Sequence, residues 1–435
     1  GSSDDGTNDD TTADLSANIT MARVGEPGEL GDLVDIGDLV GPGGNNWYWT
    51  MITAIGENGM VVGQSSGGIG QPTKGAFRCD ASDLNSITLP EFLYINPGTY
   101  DPEDDKTGFI YSEAVGIGPD GDVIGNSTTG TGWPDEEEKR GFYWNNGAFE
   151  DPLPIGEGKF TEAHFINRDY VLFTIESDDG KSAYSWNKTD DWKSLGQIIG
   201  AELTEPVGIN KYNQAVVNSN GSTAVFHDLD RGVVQSLNHL PGAETTTAVA
   251  INDSISGDRL TGHIAGTSGT LAFFWDGGVM YPCGDLGGGT SEAIGLNNSD
   301  QISGNSTTAS GATHAFIWEL NANGVGEMTD LGTLGGENSW VTAMNDNGWI
   351  VGYSETGETY EQGGVTQKIV HACAWHDDVI YDLGSHDYFY PYIFIEPMPF
   401  SEAVDINADN VIAGNSYSIN SHYRGFVIDA DALTP

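Results

Sequence analysis

Clusters of carboxylates are the first side chains in this 435-residue sequence that could do chemistry. Asp101, Glu103, Asp104 and Asp105 crowd one long stretch between apolar runs, and residues 135–138, all acidic, crowd another just before Lys139 and Arg140. Closely spaced carboxylates in a loop are hard oxygen ligands, and Ca²⁺ takes about six to eight oxygens. Neither cluster has the spacing of an EF-hand loop or of a calcium-binding nonapeptide. Asp101, Glu103, Asp104 and Asp105 are therefore kept as candidate Ca²⁺ ligands, and no other cofactor is expected. Nucleophilic chemistry has no visible seat: the chain lacks a G-x-S-x-G elbow and a phosphate loop of the form G-x-x-x-x-G-K-[ST]. Cys79, Cys283 and Cys373 are far apart and form no C-x-x-C, so they read as small buried apolar residues rather than as a metal site or a disulfide framework. The expectation is a protein without catalytic residues. With 64 Asp+Glu, some pair of carboxylates can face another across a cleft. A carbohydrate-binding or carbohydrate-processing protein is the alternative reading.

Charge narrows the partners. Sixteen Lys+Arg against 64 Asp+Glu give a formal net charge of -48. Nucleic-acid binding needs a basic footprint that this composition does not supply, and adhesion to an anionic membrane surface fails for the same reason. No apolar run is long enough to span a bilayer as a helix. Self-repulsion at this charge opposes compaction in dilute buffer, whereas at about 1 M salt the screening length falls to roughly 3 Å. The habitat implied is that of a halophile or of a virus of one, with an ordinary acidic secreted protein of a marine or freshwater microbe as the alternative.

The elements that must position any site repeat along the chain. From about residue 33 the same pattern recurs eight times, with a turn residue at Gly56, Gly118, Asn167, Asn210, Asn252, Asn297, Asn345 and Asn407. An aromatic-rich run follows in each repeat, anchored at Phe77, Phe142, Tyr184, Phe226, Phe273, Phe316, Ala374 and Phe426. Each repeat holds four short apolar runs. In the seventh they are residues 341–344, 349–353, 371–375 and 379–383, and the first turn ends in Asn347-Gly348, a strong hairpin signal. Four antiparallel strands in about 45 residues make one propeller blade. The fold class expected is all-β, an eight-bladed β-propeller, with seven blades as the second choice because residues 160–237 depart most from the pattern. The last repeat lacks its fourth strand and residues 33–39 supply a spare one, so that N-terminal strand is expected to close the last blade.

The strings HAFIW (His314 to Trp318), DLGTLGG (Asp330 to Gly336) and AMNDNGWIVGYS (Ala343 to Ser354) resemble the HAF-type extracellular repeat of secreted bacterial and archaeal proteins, and HACAW at 371–375 is a variant. The resemblance is strong over residues 290–384 and weaker elsewhere. It implies a secreted, repeat-built β protein and no catalytic residues.

Three domains are expected: an acidic flexible tether at 1–14, an extra strand and linker at 15–32, and the propeller at 33–435. Leu15, Ala17, Ile19 and Met21 alternate with smaller or polar residues, a strand pattern left without a partner by the repeats. It is the candidate assembly strand, able to add to a sheet edge of a neighbour. Tyr388, Phe389, Tyr390, Tyr392 and Phe394 form a candidate interaction patch. Among the N-x-[ST] sequons, Asn126 and Asn305 are the glycosylation candidates. Together these features suggest a non-catalytic component of the extracellular space, cell surface or virion surface: a filament subunit, an adhesin or a spike. Partners would be copies of itself, another surface protein or glycans.

Overall fold

The structure is a computed structural model that describes residues 34–35, 50–66, 74–84, 91–92, 112–129, 138–145, 148–150, 160–177, 180–189, 191–196, 203–254, 261–321, 324–385, 387–389, 395–397, 400–417 and 423–433. The tether, the candidate assembly strand and the Asp101–Asp105 cluster lie outside these residues. Apart from one 3-10 turn at Ala430–Leu433, which the sequence pattern did not suggest, the described elements are strands.

Each of the first six repeats is a four-stranded antiparallel sheet with its strands side by side in chain order, over residues 50–92, 112–150, 160–194, 204–236, 246–284 and 287–330. The seventh, 339–384, and the eighth, 400–429, share one eight-stranded sheet, joined by a single parallel pair, Val370 with Phe400. The outermost strand of the eighth repeat is Val34–Asp35, which pairs antiparallel with Val427 and Phe426. Of the segment 33–39 expected to complete the last sheet, the two described residues pair there.

One local rule recurs in every first strand. The register slips by one residue at 52/54, 114/116, 163/165, 206/208, 248/250, 293/295, 341/343 and 403/405, a β-bulge in each. A bulge bends and twists its strand and pushes a carbonyl toward the second strand. A Cβ on Gly352 would lie 1.9 Å from the Trp340 carbonyl oxygen, and one on Gly304 2.1 Å from that of Glu292. This close approach is why six of the eight second strands read V-x-G or I-x-G, the third and fourth having Phe173 and Val217 instead of the glycine. In six of the repeats the turn that follows the bulge has a residue in the left-handed conformation. Gly59, Gly121 and Gly348 take it freely, and Asn213, Asp300 and Asn410 take it at φ near +60°, the residue types that tolerate it best.

The apolar core is divided among the interfaces between neighbouring repeats. Phe273 and Trp275 pack with Val216 and Phe226 of the repeat before, and Phe316 and Trp318 with Ala265 and Phe274. Val411, Ala413 and Val427 of the last repeat pack with Ile52, Val61 and Phe77 of the first. Burial of one such large side chain contributes about 1.5–3 kcal/mol.

Two expectations are corrected. The third-strand anchors in the fourth and seventh repeats are Val225 and Cys373, one residue before Phe226 and Ala374. The small residue that precedes each anchor makes the same contacts throughout: Ala224 accepts from Leu237 N–H as Ala315 does from Leu331, and Ala372 N–H meets Ser401 Oγ as Ala315 N–H meets Ser339. An apolar run without gaps does not display which residue faces which neighbour. The seventh hairpin is also longer than its apolar runs, since the strands are Ile350–Gln362 and Val365–His376. Its outer part, with exposed residues on both faces, carries no period-two apolar signal.

Candidate functional site

The turns after the first strands gather at one end of the molecule, and their asparagines are wired to one another. Asn167 Nδ2 donates to the Asn210 carbonyl (2.8 Å), Asn210 to Asn252 (3.0 Å), Asn252 to Asn297 (2.8 Å), Asn297 to Asn345 (3.3 Å), Asn345 to Asn407 (2.9 Å) and Asn407 to Gly56 (3.3 Å). The last of these links joins the eighth repeat to the first. Each Oδ1 meanwhile accepts N–H groups of its own turn, as Asn345 does from Asn347 and Trp349, both at 3.1 Å. All six asparagines are buried. The side chain thus makes its own turn and ties down the next one.

A second set of links runs beside the first. Lys211 N–H meets Asp253 Oδ1 (2.9 Å), Asp253 N–H meets Asn298 Oδ1 (2.7 Å), Asn298 N–H meets Asp346 Oδ1 (2.7 Å) and Ala408 N–H meets Glu57 Oε2 (2.9 Å). Asp253 beside Lys211 raises the lysine's pKa. These turns surround a cavity of about 760 Å³. Ile117, Ile166, Ile209, Ile251 and Leu296 contribute its apolar wall, and Arg168, Lys211, Tyr212, Asp169 and Asp346 are among its polar lining.

Glycine interrupts the asparagine series at Gly56 and Gly118. At the second interruption Lys188 reaches in from the third repeat. Its Nζ donates to the Asn167 carbonyl (2.8 Å), the acceptor that an Asn at 118 would have served, and to Asp122 Oδ2 (2.6 Å), which also accepts from the Tyr143 hydroxyl (2.9 Å). Asp122 is buried and Lys188 nearly so. A Cβ at Gly118 would stand 2.2 Å from Asp122 Oδ1. Lys188 did not stand out in the sequence and Asp122 read first as part of an Asp120-Gly121-Asp122 hairpin turn, although the glycine at an asparagine position marks the place.

The predicted site residues fall elsewhere. Asn126 and Asn305, the glycosylation candidates, lie in second strands against the next repeat. Asn126 is 9 % and Asn305 7 % exposed. Their Oδ1 atoms accept the N–H of Ala163 and Val341 in the next repeat, both at 2.9 Å, and Asn305 Nδ2 donates to Glu292. Asn218 and Asn415 make the same tie, the latter to both backbone groups of Ile52 across the join between last and first repeats. Tyr388 and Phe389 belong to a strand, Asp387–Phe389, paired with Ile395–Pro397, while Tyr390, Tyr392 and Phe394 lie outside the described residues. Cys79, Cys283 and Cys373 are free and buried, and burial pushes the thiols of Cys283 and Cys373 upward. His314 and His371, which open the HAF-type strings, pair through Nδ1 with Asp330 and Asp382 of their own DLG strings, each at 2.9 Å. Among the described residues no group of three or more His, Cys, Asp or Glu is placed to hold a metal ion.

No family model matches the chain, and neither does any curated protein. Solved structures similar to it include the WD40 domain of SCAP from fission yeast, at 11 % identity over 92 % of this chain and 98 % of that one, TM-score 0.46. Another is the β-propeller domain of the Trilobed protease from Pyrococcus furiosus, at 11 % identity over 73 % and 93 %, TM-score 0.44. Virginiamycin B lyase from Staphylococcus aureus matches at 10 % over 70 % and 94 %, TM-score 0.36. These likenesses transfer no activity. The chain is an all-β, propeller-like protein.

Proposed function

We propose that the protein is a closed, eight-bladed β-propeller of HAF-type repeats that works at a cell or virion surface, or in the extracellular medium, by assembly rather than chemistry. The observation that carries this reading is the asparagine series. It runs from repeat to repeat and across the join to Gly56, and it commits the polar groups of the turns to the frame itself. Such a frame is a rigid body whose outward faces are left for contact. The charge of -48 suits a saline habitat, where screening removes the cost of self-repulsion. Residues 15–21 would add as a strand to a sheet edge of another copy and so link rings into a filament. Light scattering and negative-stain imaging of the full chain at high salt are expected to give filaments or arrays. Removal of residues 1–24 is expected to give folded monomers near 46.2 kDa less the deleted segment. Filaments that survive the deletion would refute the role of the segment.

The cavity at the turns, with Tyr212 41 % exposed and carboxylates beside it, favours one second reading, that of a glycan-binding mouth. Binding on a glycan array that is lost in Tyr212→Ala would support it over assembly alone.

A further inference from the structure

The residue before each bulge and its cross-strand partner in the second strand form a row that recurs from repeat to repeat. Glutamate stands before the bulge in five of the eight, at Glu113, Glu162, Glu205, Glu292 and Glu402. In the sixth repeat the pair is Glu292 with Asn305, and in the eighth Glu402 with Asn415. The seventh, between them, has Trp340 with Tyr353 instead. These two rings stack, with centroids 5.1 Å apart and planes 25° from parallel.

The flanking glutamates belong to strands that touch this one. Asn305 donates to Glu292 (3.3 Å) and accepts the N–H of Val341, the residue after Trp340 (2.9 Å). On the other side Thr342 Oγ1 donates to the carbonyl of Ala403, the residue after Glu402 (2.6 Å). Both carboxylates bear on the Tyr353 hydroxyl, whose pKa is raised by burial and then by the charges of Glu402 and Glu292. Trp340, Tyr353 and Glu402 are partly buried, and Glu292 is exposed.

The third and fourth repeats show what such a row takes. Lys181 Nζ lies 2.6 Å from Glu162 and 3.9 Å from Glu205, the row glutamates of its own and of the next repeat. Lys181 stands two residues before Ala183, whose N–H meets a hydroxyl of the next repeat. Ala315 and Ala372 make the same bond, so the counterparts of Lys181 are Thr313 and Val370. Neither is basic. Among the described residues no hydrogen bond or ion pair reaches the Glu402 carboxylate, and burial raises its pKa.

We infer that Trp340, Tyr353, Glu292 and Glu402 bind an organic ammonium group in the place that Lys181 fills for Glu162 and Glu205. Ring faces attract positive charge, and quaternary ammonium groups are recognised in this way. A hard metal ion asks for about six to eight oxygens, which two carboxylates beside aromatic rings do not supply. A neutral sugar would cover the rings and leave the Glu402 charge desolvated without a partner. Trp340 begins its strand and Asn345 follows the strand's end, so this site is separate from the cavity at the turns and holds or fails independently of assembly.

The test is calorimetric titration of the full chain with choline chloride, ionic strength being held constant with sodium chloride. Binding is expected. Glu402→Gln and Trp340→Leu are each expected to weaken it by about tenfold with the melting curve kept, and the isosteric Glu402→Gln decides if Trp340→Leu does not fold. Thr313→Lys, which sets a built-in ammonium where Lys181 stands in the third repeat, is expected to abolish binding. A capped Gly-Lys-Gly peptide distinguishes the sources: tighter binding of the peptide assigns the ammonium to a partner's lysine, and tighter binding of choline to a free solute. No heat with either probe, or binding unchanged in Glu402→Gln and Thr313→Lys, would overturn the inference. Heat with cellobiose and none with choline would overturn it in favour of a sugar site.

Discussion

Two arcs of the same series of turns solve one problem in different ways. From Asn167 round to Gly56, each link is a neutral amide on a carbonyl. From Gly118 to Asn167, the link is an ammonium on a carbonyl, balanced by the buried Asp122. The amide arc asks for one residue type at one position and no counter-charge. The ionic bridge needs three partners from two repeats, because a charge taken from water must be met by another. A repeat protein can therefore lose its consensus side chain locally and keep the link, at the cost of making that place sensitive.

That contrast can be broken most severely at the ionic bridge. Asp122→Ala leaves Lys188 buried and unpaired, and a loss of about 3–5 kcal/mol in denaturant-induced unfolding is expected. The double variant Asp122→Leu/Lys188→Met is expected to lose less than the single one, since it removes both charges. A comparable loss would mean that the Lys188–Asn167 bond, not charge balance, dominates.

The amide arc should yield more gently. Asn345→Ala removes one donor and the turn's own acceptor, so a loss of about 1–3 kcal/mol is expected by the same measurement. A loss as large as that of Asp122→Ala would erase the distinction between the arcs.

Restoring the consensus sharpens the comparison. Gly118→Asn drives a Cβ into Asp122 and is expected to destabilise. At Gly56 the nearest atoms are the Ile117 methyl (2.8 Å) and the Asn58 amide oxygen (2.9 Å), ends of side chains that can move. Gly56→Asn is expected to change stability by no more than the about 0.5–1.5 kcal/mol of one hydrogen bond, and thermal melts of the two variants should separate accordingly.

The last effect is in pH dependence at the join between last and first repeats. Burial pushes the Asp405 carboxyl up to about 6, against the backbone N–H bonds from Ile55 and Ile406 that favour its ionised form. The folded chain then holds a proton that the unfolded chain, near 3.8, gives up. This contribution to stability is present at low pH, declines as pH rises from about 4 to about 6, and is flat above. Unfolding midpoints for Asp405→Asn across that window should lack this decline.

Much of the architecture was legible because it is written in turns and alternation. The asparagine positions and the four runs per repeat follow from local chemistry, and Val34–Asp35 pairs as that pattern implied. What side chains do between repeats was not legible. Asn126 and Asn305 stand in N-S-T strings that satisfy the sequon, yet the same asparagine at the end of a second strand is what a neighbouring bulge uses as an acceptor. Lys188 and Asp122 are 66 positions apart, and no periodicity connects them.

The pairing of Val34 with Val427 and Asp35 with Phe426 also has a mechanical meaning. The two strands run antiparallel, so the chain leaves residue 34 and residue 429 at the same end of the ladder. Tension applied between the two ends would peel this pairing open one rung at a time, instead of loading its rungs together in shear. Under such a pull this two-rung zipper is expected to give way first, with the amide-tied turns still holding their repeats together.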